Sequence, residues 1–241
     1  MLERVVTVLV EPQDVDNVGA TMRAMMNMGL ARLRLVRPAP FDTARLPVIA
    51  HRSQSLVEAV ETFDTLAAAL ADTVYTVGCT ARRRSDPRPV LSPREAARLT
   101  LDRLADGPVA FLFGREDTGL ANADLDACHA LLTIPTDPAY PSLNLAQAVL
   151  VVAYELRLAA TASDHGSERR VTGRATGAET EAMFGALADG LRAADFLVPS
   201  RATATIRALR ALLLRAEPTR EEAQLMTAIG RALRKTGRQE S

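Results

Sequence analysis

Strand and helix patterns alternate through the first two-thirds of the chain, and this alternation limits the possible folds more than any other feature. Val5–Glu11 is a compact β-branched run, and Arg32–Val36 alternates polar and apolar residues with the period of a strand. Between them a helix pattern ends at Gly29, a residue type that commonly closes helices. Strands joined at short spacing by helices favour a mostly parallel sheet with helices on both faces. We therefore predict an α/β fold.

The same alternation continues to about residue 160. Ser92, Pro93 and Glu95 have the spacing of a helix cap, a first helical residue and a capping-box partner. The stretch 55–72 has the pattern of one helix, and a long apolar helix begins at about Leu143. Further buried strands are predicted at Thr73–Thr80, Pro108–Gly114 and Ala130–Pro135.

The composition changes after residue 160. The stretch 161–177 is rich in Ser, Thr, Gly and Arg and has no apolar period, which is typical of a linker. Three helices follow, two of them opened by the capping boxes Thr176 with Glu179 and Thr219 with Glu222. Leu187, Leu213 and Ile229 are among the apolar residues expected in a small shared core. We predict an α/β domain at 1–160, a linker at 161–177 and a helical domain at 178–241.

Cysteine usage and hydropathy indicate a compartment. Cys79 and Cys128 are the only two cysteines among 241 residues, which suits free thiols in a reducing cytoplasm. The three histidines do not fall in a metal-ligand spacing with them, so no structural metal is expected. No apolar segment reaches the ~18 residues of a membrane helix, and the N-terminus lacks the layout of a signal peptide. We expect a cytoplasmic protein without a membrane partner.

The distribution of arginine bears on the choice of partner. The net charge is +0, which by itself argues against a nucleic-acid ligand. Arg82, Arg83 and Arg84 nevertheless form a basic run, and nearly all basic residues are Arg. Two explanations are open. The composition could simply be biased towards Arg, or the arginines could bind phosphates, which guanidinium groups suit well.

Three loops that follow predicted strands carry unusual polar residues. Because ligands of open α/β sheets bind outside the carboxyl ends of the strands, these loops are expected to converge on one site. The first loop contains Asn17 and Arg23, the second Gly114, Arg115 and Glu116, and the third Pro141, Ser142, Leu143 and Asn144.

Each loop also has a plain structural explanation. Asn17 could be a helix cap or lie in the turn before the helix, and Glu116 could pair only with Arg115 or with another surface arginine. Ser142 and Asn144 could cap the helix that follows them. No dinucleotide-binding G-x-G-x-x-G, phosphate-binding P-loop or G-x-S-x-G elbow is present, so the usual nucleotide-binding and hydrolase motifs are excluded.

Three stretches together resemble the motifs of the SpoU branch of the SPOUT RNA methyltransferases, in the family's order and spacing. They are NVGATMRAMMNMG, FLFGREDTGL and IPTDPAYPSLNLAQAVLVVAYEL, and the resemblance covers about residues 2–160. GCTARRRSDPRPVLSPRE and CHALLTIPTDPAYPSLNLA resemble more narrowly the TrmJ type, the tRNA ribose 2′-O-methyltransferases that act in the anticodon loop. Asp16 and the stretch 51–53 depart from the family pattern.

The resemblance implies a fold and a cofactor. The first domain would be a SPOUT methyltransferase domain whose C-terminal part forms a deep trefoil knot, an exception to unknotted topology. S-adenosyl-L-methionine would lie bent in the knot, held largely by backbone groups. The residues expected to bind it are Cys79, Thr80, Ala81, Gly114, Arg115, Ile134, Pro141, Ser142 and Leu143, with Gly114 allowing close approach of the cofactor.

The resemblance also implies a reaction: methylation of a ribose 2′-hydroxyl in tRNA, at the nucleotide conventionally numbered 32. Arg23 would be the central catalytic residue. Guanidinium has a pKa above ~12 and is a poor base near neutral pH, so Arg23 would act either as a base activated by its neighbours or as a clamp for the target phosphate. Asn17, Glu116, Ser142 and Asn144 would position it.

Further implied properties concern partners. Members of the family are generally homodimers with active sites at the subunit interface, and the apolar face of the 143–160 helix suits either such an interface or an internal core. Arg82, Arg83 and Arg84 would contact RNA phosphates. Two alternatives remain, an rRNA 2′-O-methyltransferase and a non-catalytic RNA-binding relative.

Overall fold

A seven-stranded sheet forms the centre of the molecule, with strand order β3-β2-β1-β6-β4-β7-β5. The computed structural model describes residues 1–40, 45–46, 54–81, 88–162 and 173–236. Every strand pair within this part of the chain is parallel, which confirms the predicted α/β class. The strands are β1 Val5–Val10, β2 Arg32–Val36, β3 Glu61–Phe63, β4 Tyr75–Cys79, β5 Val90–Leu91, β6 Val109–Phe113 and β7 Ala130–Leu132.

Helices cover both faces of this sheet and continue beyond it. In the α/β part they are α1 Val15–Met28, α2 Gln54–Glu58, α3 Leu66–Ala69, α4 Pro93–Arg103, α5 Asn122–Leu125 and α6 Leu145–Ala162. The C-terminal helices are α7 Gly177–Ala193, α8 Ala202–Ala216 and α9 Arg220–Thr236.

Strand β1 shows how the sheet divides two cores. All six of its residues are buried, and alternate side chains point to opposite faces. Val5 and Leu9 join the core formed with α1, α4 and α6, whereas Val6 and Val8 join the core formed with α3 and α5. A strand buried on both faces has a continuous apolar sequence, which is the pattern seen at 5–10.

Capping residues lie at the helix ends, at Gly29, Ser92 and Glu95 as predicted and at Asp14 where no cap was predicted. Asp14 accepts a hydrogen bond from the backbone N–H of Asp16 at the start of α1, and Gly29 closes that helix at φ 78°. Ser92 and Glu95 form the predicted capping box of α4, with Pro93 in its first turn. These caps satisfy N–H groups that have no partner inside the helix.

The single helix predicted at 55–72 is wrong. The structure breaks it into α2, the strand β3 and α3, with the Thr65 side chain accepting a bond from the Ala68 N–H at the start of α3. Glu61–Phe63 pairs in parallel with Arg34–Val36 at the edge of the sheet, so tertiary pairing overrides the helical pattern. The sequence pattern also did not predict β5 or α5, which are only 2 and 4 residues long.

Helix α6 links the core to an exposed apolar face. It is 18 residues long with a mean hydropathy of 1.4, so by length and composition alone it could cross a membrane, contrary to our expectation that no segment does. Core helices of soluble proteins pass the same test, and Val149, Val152 and Leu156 are buried against the core that α1 and α4 share. Leu150, Tyr154 and Leu158, which we call the α6 stripe, are 38%, 49% and 41% exposed.

The C-terminal helices pack on one another and on the sheet. Helices α7 and α9 cross at Gly190 and Gly230, and Met183, Phe184 and Leu187 form a third core with Leu214. The expectation that Ile229 joins that core is wrong, because its side chain is 42% exposed.

A row of polar contacts attaches these helices at the start of β4. The backbone N–H of Gly177 donates to the carbonyl of Thr73 at 2.7 Å. Glu217, after α8, forms ion pairs with Arg103 and Arg174, and Arg174 also pairs with Asp106. The C-terminal helices therefore meet the amino-terminal edge of the sheet.

Candidate active site

The three polar loops follow β1, β6 and β7, which lie in the middle of the sheet with only β4 between β6 and β7. Strand β6 pairs with β1 on one side and with β4 on the other, and β4 pairs with β7. Because all these strands are parallel, the loops after β1, β6 and β7 emerge at the same edge of the sheet. The sheet order thus produces the convergence that the sequence predicted.

A cavity of about 310 Å³ lies at this edge. All the residues expected to hold the cofactor line it, namely Cys79, Thr80, Ala81, Gly114, Arg115, Ile134, Pro141, Ser142 and Leu143. Of the residues expected to act in catalysis, Glu116 and Ser142 line it as well. The geometry brings these side chains together, and their roles stay predictions.

Glu116 joins the second loop to the first. Its carboxylate accepts hydrogen bonds from the backbone N–H of Gln13 at 3.0 Å and of Asp14 at 3.3 Å, and from the Asn17 side-chain amide at 3.1 Å. The alternative that Glu116 only pairs with Arg115 is therefore wrong. A carboxylate that accepts several N–H bonds is held firmly in place, because charge-assisted bonds are stronger than neutral ones.

Asn17 and Asn144 join the first loop to the third. The Nδ2 of Asn144 donates to the Oδ1 of Asn17 at 2.8 Å, and the Oδ1 of Asn144 accepts from the Ala146 N–H at 2.9 Å. Asn144 is therefore both a helix cap and a cross-link. Asn17 lies in the first turn of α1 and not in the preceding turn. One chain of hydrogen bonds, Glu116–Asn17–Asn144, thus connects all three loops.

The loop after β6 folds tightly back on itself. Arg115 and Gly119 form an antiparallel bridge, and the Gly119 N–H donates to the Arg115 carbonyl at 2.9 Å. A Cβ on Gly114 would lie 2.2 Å from the Gly119 carbonyl carbon, closer than any real contact. Gly114 is required by this close approach within the loop, a different reason from the cofactor contact expected from the sequence.

Hydrogen bonds within the third loop restrict its conformation, in agreement with the stiffness expected from its prolines. The Thr136 hydroxyl donates to the Pro141 carbonyl at 3.1 Å, and the Ala139 N–H donates to the Asp137 carboxylate at 2.7 Å. Pro141 and Ser142 follow these bonds and are exposed at the cavity rim. The bond to the Pro141 carbonyl holds the loop in place and leaves Ser142 exposed to a ligand at the rim.

Charges at the cavity are paired, and its thiol is neutral. Arg115 donates two bonds to the Asp117 carboxylate, at 3.0 and 2.9 Å, and lies 3.7 Å from Glu11. The hydrogen bond from Arg115 holds the pKa of Asp117 well below its usual range. Burial raises the pKa of the Cys79 thiol to about 12, so Cys79 serves as a wall and not as a nucleophile.

Arg23 stands apart from this cavity. It is exposed on α1 and does not line the cavity. In the described part of the chain, no hydrogen bond or ion pair holds its guanidinium. Arg82, Arg83 and Arg84, expected to contact RNA, lie outside the described residues.

Sequence reasoning missed several residues of the cavity. Phe113, Leu120, Leu145 and Ala148 supply apolar walls, and Asp117, Thr118, Gly119 and Thr136 supply polar ones. Most lie within a few positions of a residue that was predicted, so their closeness in the motifs was the available signal.

Two family models match the chain. The model of the SpoU rRNA Methylase family matches residues 4–154, and the model of the C-terminal domain of the tRNA methyltransferase TrmJ matches residues 178–241. The first match spans the sheet and its helices, and the second spans the three C-terminal helices.

Individual relatives agree with these models. The tRNA (cytidine/uridine-2′-O-)-methyltransferase TrmJ of Shigella flexneri is 36% identical over 232 residues, which are 95% of this chain and 94% of that protein. The crystal structure of TrmJ from Z. mobilis superposes with a TM-score of 0.83 at 32% identity, covering 95% of this chain and 98% of that one. A structure solved to explain the 2-OH methylation of C/U34 on tRNA superposes with a TM-score of 0.53 at 28% identity, covering 66% and 97%.

Proposed function

The chain belongs to the SpoU rRNA methylase family and to its TrmJ members, and from that premise we propose that it methylates a ribose 2′-hydroxyl in tRNA with S-adenosyl-L-methionine as methyl donor. The observation that carries this proposal is the hydrogen-bonded chain Glu116–Asn17–Asn144, which draws three family motifs around one cavity. The TrmJ relatives, named for cytidine and uridine 2′-O-methylation of tRNA, support tRNA as the substrate.

The cavity suits the proposed methyl donor. Its volume of about 310 Å³ lies at the lower end of the range for small-molecule sites. Apolar side chains such as Leu120 and Ile134 suit an adenine ring, and the backbone groups of Ser142 and Leu143 suit its polar edge. When bound, S-adenosylmethionine would supply a methyl group attached to a sulfonium sulfur. That sulfur is a good leaving group, because it departs as the neutral thioether of S-adenosylhomocysteine.

The remaining work of the protein is to position the ribose and assist loss of its proton. Glu116 and Asn17 fix the loop before α1, and Asn144 fixes the start of α6. Arg23 is free to reach a substrate, and its guanidinium is a poor base near neutral pH. We assign Arg23 to holding the phosphate beside the target ribose, and Ser142 to positioning at the cavity rim.

The target nucleotide lies in the anticodon loop under this proposal. The resemblance to the TrmJ type implies nucleotide 32, while the neighbour solved for C/U34 methylation favours position 34 of the same loop. An rRNA substrate, or RNA binding without catalysis, are the alternatives. Arg82, Arg83 and Arg84 would contact the RNA phosphates, which predicts binding that weakens steeply with salt.

We further propose a homodimer in which the partner subunit completes each site. Arg23 does not line the cavity of its own subunit, and the α6 stripe leaves Leu150, Tyr154 and Leu158 exposed beside α1. An exposed apolar face of this kind suits an interface between copies. The resemblance also implies the trefoil knot in the segment leading to α6, the separation of a methyltransferase domain at 1–160 from a helical domain, and residence in the cytoplasm.

Separate measurements of binding and transfer test the assignment of Arg23. Arg23→Ala should lower methyl transfer to unmodified tRNA by about 100-fold or more while leaving the Kd for S-adenosylhomocysteine within about twofold of wild type. Arg45→Ala, on an exposed arginine that pairs with Asp16, is the control and should leave both unchanged. Loss of cofactor binding in Arg23→Ala would contradict the assignment.

A further inference from the structure

A second cavity lies where the C-terminal helices meet the sheet. Its volume is about 300 Å³, and it is lined by residues of α3, α5, α7 and α8 together with Thr76 of β4 and His129 just before β7. It shares no lining residue with the candidate active site. This volume is more than ten times the ~10–15 Å³ that one water molecule needs, so the cavity has room for a small organic molecule.

Three buried polar residues face this cavity without using all their hydrogen bonds. Thr76, His129 and Thr180 are only 2%, 9% and 4% exposed. The Nδ1 of His129 accepts a bond from the Thr76 N–H at 3.1 Å, so the proton of the neutral ring is on Nε2, which is a donor. Throughout the described ranges, neither this Nε2–H nor the Thr76 or Thr180 hydroxyl has a protein partner.

The imidazole of His129 is held in place and uncharged. Its ring stacks on Tyr75, with ring centroids 4.7 Å apart. Burial, together with the cations Arg103 and Arg174, lowers the pKa of His129 to about 3. At neutral pH the group therefore presents one fixed N–H donor to the cavity.

The charged residues at the cavity are already paired. Arg210 binds Glu181 and lies over the Phe184 ring, with its Cζ 4.3 Å from the ring centroid. Arg37 pairs with Glu11 at 2.9 Å. Asp124 accepts the N–H that opens α5. Leu66, Leu70 and Leu214 supply apolar walls. A site with paired charges, apolar walls and neutral donors favours an uncharged ligand over an anion.

We propose that this cavity binds a small uncharged heterocycle that carries hydrogen-bond acceptors and donors along one edge, the chemistry of a nucleobase. The His129 Nε2–H requires an acceptor on the ligand, and each threonine hydroxyl can donate or accept. Nucleobase edges carry such alternating groups. The ligand is either a free base or a base of a bound RNA, and both would present the same edge.

Titration of the full chain with free cytosine, uracil and adenine tests the first source. Saturating S-adenosylhomocysteine occupies the other cavity, and saturation-transfer NMR reports contact with each base. Thr180→Val removes one hydroxyl at nearly constant shape and should weaken binding about tenfold, the effect of one lost hydrogen bond. Thr100→Val is the matched control, because Thr100 is buried, its hydroxyl has no hydrogen-bond partner among the described residues, and it lies outside the cavity.

Direct binding of unmodified tRNA tests the second source and does not depend on methyl transfer. A base of the RNA is the ligand when free bases fail to bind and Thr180→Val, but not Thr100→Val, weakens tRNA binding about tenfold. Ala127→Leu, which adds volume at the cavity wall, should act in the same direction as Thr180→Val. The proposal is overturned when wild type binds no free base and neither Thr180→Val nor Ala127→Leu changes the Kd for tRNA.

Discussion

Glu116 is the residue on which the geometry of the candidate site depends most. Its carboxylate holds two backbone N–H groups of the β1–α1 loop and the Asn17 amide, so one side chain joins two motifs that are about 100 positions apart in the sequence. Asn144 extends the connection to the third motif. The arrangement explains why these loops carry short polar side chains, because each must reach a partner on a neighbouring loop.

Asn144→Asp separates the two tasks of this residue. Aspartate keeps the oxygen that caps α6 but loses the amide that donates to Asn17. We expect the free energy of unfolding to change by less than about 0.5 kcal/mol, whereas methyl transfer falls about tenfold or more. Urea unfolding and single-turnover transfer measure the two effects. Equal loss of stability and activity would contradict a positioning role.

Gly114→Ala tests the close approach within the second loop. The new Cβ would lie 2.2 Å from Gly119, so the loop must shift, and we expect the Kd for S-adenosylhomocysteine to rise at least tenfold. Gly119→Ala is the comparison, because a Cβ there meets no atom within 4 Å and only the φ of +67° is unfavourable, at about 1 kcal/mol. Isothermal titration should give the larger effect for position 114, and the reverse order would contradict the loop geometry.

At the scale of elements, the C-terminal helices depend on two glycines that face each other. Gly190 and Gly230 allow α7 and α9 to touch, since a Cβ on Gly190 would lie 2.3 Å from the Gly230 carbonyl oxygen. The sequence predicted three helices here with correct capping boxes, but it did not predict this crossing. Local caps are encoded by neighbouring residues, whereas a crossing needs two glycines 40 positions apart to meet.

Opposite substitutions in α7 follow from this contact. Gly185→Ala adds a methyl group in open space within a helix and should raise the free energy of unfolding by about 0.5–1 kcal/mol. Gly190→Ala should lower it by about 1–3 kcal/mol, because the helices must move apart. Thermal and urea unfolding of the two variants measure the difference. A stabilising Gly190→Ala would contradict the crossing.

The edge of the sheet contains an ion pair with a pH signature. Arg34, only 4% exposed, donates to Asp72 at 2.6 Å and to Glu61 at 3.0 Å. The bond from Arg34 lowers the pKa of Asp72 to about 2 from 3.8. The folded state therefore binds this proton less readily, so the stabilisation is complete above about pH 4 and is lost as pH falls towards 2.

Asp72→Asn measures this contribution. Because the Asp72 side chain is 46% exposed, solvent screening reduces the expected loss to about 1 kcal/mol at pH 7. The difference between wild type and variant should shrink between pH 4 and pH 2. Asp189→Asn, in an exposed pair with Arg192, is the control and should cost nothing measurable. A difference that stays constant down to pH 2 would contradict the assignment.

At the scale of the whole molecule, the sequence supplied the architecture and the composition of the site, but not the sheet order. Alternating patterns predicted the parallel sheet, and the resemblance to a family predicted ten of the 18 residues that line the cavity. The short strand β3 and the binding of Glu116 to the first loop could not be predicted, because both depend on contacts between distant segments. The second cavity was likewise invisible, since its three polar groups come from separate elements.

A mixed dimer tests whether the partner subunit completes the site. At a cofactor concentration well below the raised Kd of Gly114→Ala, the Arg23→Ala and Gly114→Ala subunits should each be nearly inactive alone, and the isolated mixed dimer should recover about half of the wild-type transfer per dimer. Restoration follows because one site of each mixed dimer would combine an intact cavity with an intact Arg23 from the partner. Co-expression with two different affinity tags isolates this species. No activity in the mixed dimer would mean that Arg23 acts within its own subunit.

The most direct test of the central claim is transfer of labelled methyl groups from S-adenosylmethionine to separate pools of tRNA and rRNA that lack modification, followed by mapping of the methylated riboses. We expect label in the anticodon loop of tRNA, at nucleotide 32 or 34, and none with Arg23→Ala. Label confined to rRNA would retain the enzyme class and contradict the tRNA substrate. Absence of label from both pools, with S-adenosylhomocysteine still bound, would contradict the proposed activity itself.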